Sequence, residues 1–278
     1  ARPYLLLLPA PPAAPGLDAV KNVDVIDLNA DKMPGLRIGN PATTIGIDAI
    51  SVFAGRVYVA NNGGVIRSTV PRPRSYKDAP GDWAPATPAA PAYTGKSSLV
   101  TLQFSEIDPA EKAVPAMVGY AGRLYLGRNT VDGPQLFACS PSLGGSTSDC
   151  DPDDWALVAP NTVGDPLLTQ FDDPDDTRLT LLAATDSHLY VGFDNAVDGV
   201  IIYRTSVPAP ASAADFEGTL HCPADLGTSA CPGLGGNGLG SGMKRIYDSA
   251  ALDAGGAPRL YLVAGEPSGA AQVFSVGE

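Results

Sequence analysis

The side chains best placed to do chemistry in this sequence are oxygen donors. Asp27-x-Asn29-x-Asp31 sets three of them on alternate positions, the spacing with which a short loop wraps a calcium ion. Two further acidic runs, Asp151-Pro152-Asp153-Asp154 and Asp172-Asp173-Pro174-Asp175-Asp176, crowd carboxylates within a few residues. Such runs either collect a divalent cation or form solvated turns, because Asp and Pro both favour turns. Calcium is the one cofactor this spacing offers, with Asp27, Asn29 and Asp31 as its ligands; an Asx-rich β-turn is the alternative reading of the same residues. The 30 acidic residues also supply pairs for acid and base work on a glycosidic bond, but no pair stands out by spacing.

Histidine and thiol chemistry have little to build from. The chain holds two histidines, His188 and His221, and contains no GxSxG, HExxH or CxxCH. His188 opens a strand at a place where sister segments carry Arg56, Arg123 and Arg259, so it reads as part of a repeat. No catalytic residue is assigned. Gly233, Gly235 and Gly238 satisfy GxGxxG formally, but they follow Cys231-Pro232 instead of a strand, and a flexible loop is expected. No cofactor-binding residue is assigned there. The four cysteines fall in two short, similar loops, CSPSLGGSTSDC (Cys139, Cys150) and CPADLGTSAC (Cys222, Cys231). Their spacings do not match zinc knuckles; two local disulfides in an oxidising compartment are expected.

Val23–Gly39, VDVIDLNADKMPGLRIG, resembles the FG-GAP repeat of integrin-type propellers, in which a strand leads into Asp-x-Asn-x-Asp-Gly and then Pro-Asp-Leu. Asp27, Asn29, Asp31, Pro34, Leu36 and Gly39 fit that spacing. Lys32 stands where the motif has Gly, and Gly35 where it has Asp. The resemblance implies a calcium loop on a β-propeller.

These residues are carried by a repeat. Gly55-Arg56-Val57-Tyr58-Val59, Gly122-Arg123-Leu124-Tyr125-Leu126, His188-Leu189-Tyr190-Val191 and Pro258-Arg259-Leu260-Tyr261-Leu262 are rich in strand formers. Each leads through a turn, such as Asn129-Thr130-Val131-Asp132-Gly133 or Asn195-Ala196-Val197-Asp198-Gly199, into a second such run. The tyrosines at 58, 125, 190 and 261 are spaced by 67, 65 and 71 residues. A further apolar run precedes three of the hairpins, at Ala49–Phe53, Ala116–Tyr120 and Leu179–Ala184. Trp83, Trp155 and Phe216 follow at matching places and are expected to pack between units. Tandem antiparallel units of three or four strands resemble β-propellers in general, without the WD40 pattern or the sialidase Asp-box. The fold expected is an all-β propeller of four or five units; a β-sandwich is the alternative.

One domain over 1–278 is expected, with units near 40–95, 96–165, 166–240 and 241–278 closed by an N-terminal strand from 1–39. The Tyr4–Leu8 run would be that strand. The best helical candidate is the short Pro109–Val114. With 31 Gly and 27 Pro the chain suits many turns. A net charge of −12 argues against nucleic acid and anionic membranes as partners, and no apolar run is long enough to span a bilayer. The chain begins with Ala, so a processed or trimmed N-terminus is expected. The function expected is a secreted, non-enzymatic binding or assembly module, extracellular, periplasmic or at the cell surface, offering loops to a protein or glycan and capable of self-assembly. The alternatives are a carbohydrate-active hydrolase using two carboxylates and a subunit of an extracellular filament.

Overall fold

A computed structural model describes residues 4–7, 24–27, 47–61, 64–74, 79–87, 114–130, 133–141, 149–159, 175–212, 215–216, 237–253 and 258–277. They form five antiparallel sheets. A two-stranded sheet pairs β1 (Tyr4–Leu7) with β2 (Asp24–Asp27), from Tyr4 opposite Asp27 to Leu7 opposite Asp24. The first four-stranded sheet runs in chain order through β3 (Ala49–Phe53), β4 (Arg56–Asn61), β5 (Gly64–Ser68) and β6 (Trp83–Pro85). The second repeats it with β7 (Met117–Tyr120), β8 (Arg123–Thr130), β9 (Gly133–Cys139) and β10 (Trp155–Ala159). Two three-stranded sheets follow: β11 (Asp176–Ala184), β12 (Leu189–Asn195), β13 (Ile201–Thr205), then β14 (Arg245–Asp253), β15 (Pro258–Gly265), β16 (Ala271–Gly277). Short 3-10 turns stand at Pro80–Asp82 and Asn237–Gly240.

Each unit is a meander whose first strand packs on the first strand of the next: β3 on β7, β7 on β11, β11 on β14. First strands gathered around one axis, with each sheet running outward from it, make a β-propeller. The hairpins β3–β4 and β7–β8 turn through Ala54-Gly55 and Ala121-Gly122, all four at positive φ. Two consecutive left-handed residues match the twist of the strands they join. The third unit lacks Ala-Gly and closes its hairpin instead by Thr185 N–H donating to the His188 carbonyl at 2.9 Å.

The tyrosine ruler marks the core between units. Tyr58 lies in the apolar cluster between the first and second units, Tyr125 in that between the second and third, and Tyr190 in that between the third and fourth; all three are fully buried. Two residues after the tyrosine the second and third units have glycine, because the next unit sits there. A Cβ on Gly127 would lie 2.6 Å from a Leu179 methyl, and one on Gly192 would lie 3.0 Å from Ile246 Cδ1. Trp83 and Phe216 are buried, and Trp155 is half-buried with its indole N–H donating to the Ala86 carbonyl of the preceding unit at 2.6 Å.

Cys139 and Cys150 form a disulfide, as expected. The loop it closes reaches the first unit: Arg67 donates to Asp149 (3.2 Å), Asp151 (2.6 Å) and the Cys150 carbonyl (3.0 Å), while Cys150 N–H donates to the Tyr58 hydroxyl (3.0 Å). Cys222, Cys231 and the Pro109–Val114 candidate helix, save Val114, lie outside the described residues. Among the described ladders β16 pairs with β15 alone and β1 with β2, so the pairing that N-terminal closure of the last unit would need is not among them.

Candidate functional site

The first strands converge at both ends of the axis, and their starting ends frame a cleft of about 440 Å³. Ala116 comes from just before β7, Asn129 from the end of β8, and Arg178 to Leu182 from β11. Asp194 comes from the end of β12, and Arg245 to Ser249 from the start of β14. A smaller cleft of about 220 Å³ at the other ends of β7, β11 and β14 has one carboxylate in its lining, Asp186. The larger cleft brings together two carboxylates, Asp194 and Asp248, and two guanidinium groups, Arg178 and Arg245.

The backbone positions these groups by breaking its own ladders. The register of β11 on β12 shifts between Leu179 and Leu181, and that of β14 on β15 shifts between Ile246 and Asp248. A bulge re-aims side chains and releases backbone groups from the ladder. Asp194 takes up what is released. One oxygen accepts from Ile246 N–H (2.9 Å) and the Thr180 hydroxyl (3.0 Å), and the other from Arg245 Nε (3.2 Å). The Asp194 side chain is 9% exposed and its Arg245 partner 41%. One unit earlier, the Asn129 amide accepts from Leu179 N–H (2.8 Å) and donates to the Leu179 carbonyl (3.0 Å). Both residues clamp the first strand of the following unit. Asp248 is exposed and accepts from Ser249 N–H at 2.8 Å.

The residues singled out in the sequence lie elsewhere. Asp27 ends β2, while Asn29 and Asp31 fall outside the described residues. The acidic run at Asp151–Asp154 serves the fold: Asp151 pairs with Arg67, and Asp154 accepts from Asp151 N–H at 2.9 Å. In the second run, the buried Asp176 accepts from the Asn195 amide at 3.1 Å. Of the recurring arginines, Arg56 pairs with Asp149 at 3.3 Å, on the interface between units. Gly238, at φ +63°, is a close-packing point: its N–H donates to the Val200 carbonyl at 3.0 Å, and a Cβ on Gly199 would lie 2.6 Å from its Cα. Burial pulls the fully enclosed Arg128 down to about 10 and pushes Tyr125 up to about 12.

Sequence reading passed over Asp194 and Asn129, although a signal for them was present. Both stand four residues after a ruler tyrosine, where the first unit has Asn62 and the last Gly265.

No family model and no curated protein matches the sequence. Solved structures share the architecture at low identity. The GH43 endo-arabinanase from Bacillus licheniformis is 12% identical, over 86% of this chain and 73% of that one, with a TM-score of 0.40. An α-L-arabinanase mutant from Cellvibrio cellulosa is 13% identical over 82% and 71%, with a TM-score of 0.36. A Trypanosoma rangeli sialidase in complex with sialic acid is 7% identical over 79% and 27%, with a TM-score of 0.35. These matches correct the expected function. The structures similar to this chain are of glycan-cleaving enzymes, which sets aside the non-enzymatic binding or assembly module. Among the described residues no helix is long and apolar enough to cross a membrane.

Proposed function

We propose that the chain is a carbohydrate-active hydrolase whose site is the axial cleft between β7, β11 and β14. The observation that carries this reading is that two carboxylates from adjacent units, Asp194 and Asp248, line one polar cleft that also holds two arginines. Cleavage of a glycosidic bond needs a proton for the leaving oxygen and negative charge beside the oxocarbenium-like centre. Asp248 stands exposed at the cleft, within reach of a bound glycan, and takes the acid and base role. Asp194 is fixed by Thr180, Arg245 and Ile246 and takes the charge-stabilising role. The disulfide supports an oxidising, secreted setting, where polymeric glycans are met as substrates.

The test is hydrolysis of arabinan, xylan and sialyllactose, read as released reducing ends or sialic acid. Wild-type protein is expected to cleave at least one. Asp248→Asn is expected to lose about 10²–10⁴-fold in rate with an unchanged melting temperature, because the residue is exposed. Failure of the wild type on all three, or an Asp248→Asn rate equal to wild type, overturns the proposal.

A further inference from the structure

We propose that Tyr247 is a stacking platform for a sugar ring of a neutral glycan, a reading that rests on the hydrolase site above. Tyr247 lines the same cleft and is 49% exposed, the only aromatic among the exposed large apolar side chains of the described residues. The ruler tyrosines, by contrast, are withdrawn into the core or half-buried. Tyr247 sits at the register shift between Ile246 and Asp248, so the bulge that presents Asp248 also presents this ring.

The ring is held still. Its hydroxyl donates to the Glu266 carbonyl at 3.0 Å, and one ring edge lies against Gly265, where an added Cβ would come within 3.1 Å of Cε2. A fixed, half-exposed aromatic face loses little side-chain freedom when a ligand covers it. A sugar ring has one face of C–H groups and a rim of hydroxyls. The C–H face matches the tyrosine, and Arg178, Thr180, Asp248 and Ser249 around the cleft match the rim. The two arginines balance the two aspartates in the cleft lining, which fits an uncharged sugar better than a uronic or sialic acid.

The experiment uses Asp248→Asn protein, which traps ligand without turnover. Arabinotriose, xylotriose and 3′-sialyllactose are titrated by calorimetry, in that background alone and with Tyr247→Ala or Tyr247→Phe added. A neutral trisaccharide is expected to bind more tightly than sialyllactose. Tyr247→Ala is expected to weaken it about tenfold, and Tyr247→Phe, which keeps the ring and loses the Glu266 contact, by less than threefold. Ala and Phe variants that weaken binding equally, or an Ala variant that binds like its parent, overturn the platform while leaving the hydrolase reading intact. Preference for sialyllactose overturns the neutral-glycan assignment. If no glycan binds and the wild type cleaves none, the underlying reading fails first.

Discussion

Asp194 and Asn129 stand at equivalent repeat positions and clamp the next unit, yet exchanging acid for amide should affect them differently. Asp194 meets only donors: Ile246 N–H, the Thr180 hydroxyl and Arg245 Nε. Asp194→Asn keeps an acceptor for Ile246 and Thr180, loses the charge opposite Arg245 and turns an NH2 towards its Nε, from which the arginine can swing into solvent. That arginine is 41% exposed, so the loss is about 1 kcal/mol or less after solvent screening. Asn129 meets one donor and one acceptor, the N–H and the carbonyl of Leu179. Asn129→Asp keeps the first bond and turns the second into a carboxylate against a buried carbonyl, at a cost of about 3 kcal/mol. Asp194→Ala leaves the buried Ile246 N–H without its acceptor and should cost about 3 kcal/mol as well.

For a chain of this size each kcal/mol moves the melting temperature by about 2–4 °C. Circular-dichroism melts should therefore show Asp194→Asn within about 4 °C of wild type, with Asp194→Ala and Asn129→Asp lower by about 6–12 °C. If the two acid–amide exchanges shift the melt by the same amount, donor and acceptor bookkeeping does not govern these clamps and the reasoning fails.

The Cys139→Ser/Cys150→Ser double variant should lose about 3 kcal/mol from the closed loop alone, seen as a lower urea midpoint at unchanged slope; an unchanged midpoint would show that the Arg67 latch holds the loop without the bond. Burial raises the Tyr125 phenol to about 12 from an unfolded value near 10, so its contribution is fully present below pH 10 and is lost as the pH climbs towards 12, at about 1.4 kcal/mol per pH unit. Urea melts across that window should decline more steeply for wild type than for Tyr125→Phe, and parallel curves would refute the assignment. The Asp27, Asn29 and Asp31 spacing is proposed as a calcium loop: millimolar calcium against EDTA should raise the melting temperature by several degrees, and Asp27→Ala should abolish the rise.

Much of the fold was legible because it is periodic. The tyrosine spacing marked the repeat, and the Asn-x-Val-Asp-Gly turns at 129–133 and 195–199 marked the β8–β9 and β12–β13 hairpins. Phe216 and Trp155 packed between units as their placement foretold, and Trp83 is buried. The site was not legible in the same way. Asp194 and Asp248 are 54 positions apart and belong to no shared motif; they meet only because β11 and β14 lie side by side at the axis and both slip register. Such slips depend on how sheets stack, which alternation along one strand does not encode. The acidic runs misled for the converse reason: Asp151 and Asp154 lie close in sequence because they build one turn, from which Asp151 binds Arg67.

A repeat can mark a site by where it changes. Four residues beyond each ruler tyrosine the chain reads Asn62, Asn129, Asp194 and Gly265. At 129 the amide mimics a strand neighbour, with one donor and one acceptor matched to the next unit's backbone. At 194 the change to a carboxylate gives up the donor and gains a contact to Arg245, bringing charge into the cleft. At 265 the side chain is gone, and the Tyr247 ring occupies the space it leaves. Both changes thus fall in the third and fourth units; Asp194 lines the cleft where charged groups converge, and so does the Tyr247 ring that lies against Gly265. A purely structural array would keep its best clamp at every interface, because each interface presents the same backbone problem. Asp194 keeps its hold on Ile246 while bringing charge into the cleft, and Gly265 yields its place to the Tyr247 ring, so the repeat changes beside the proposed site.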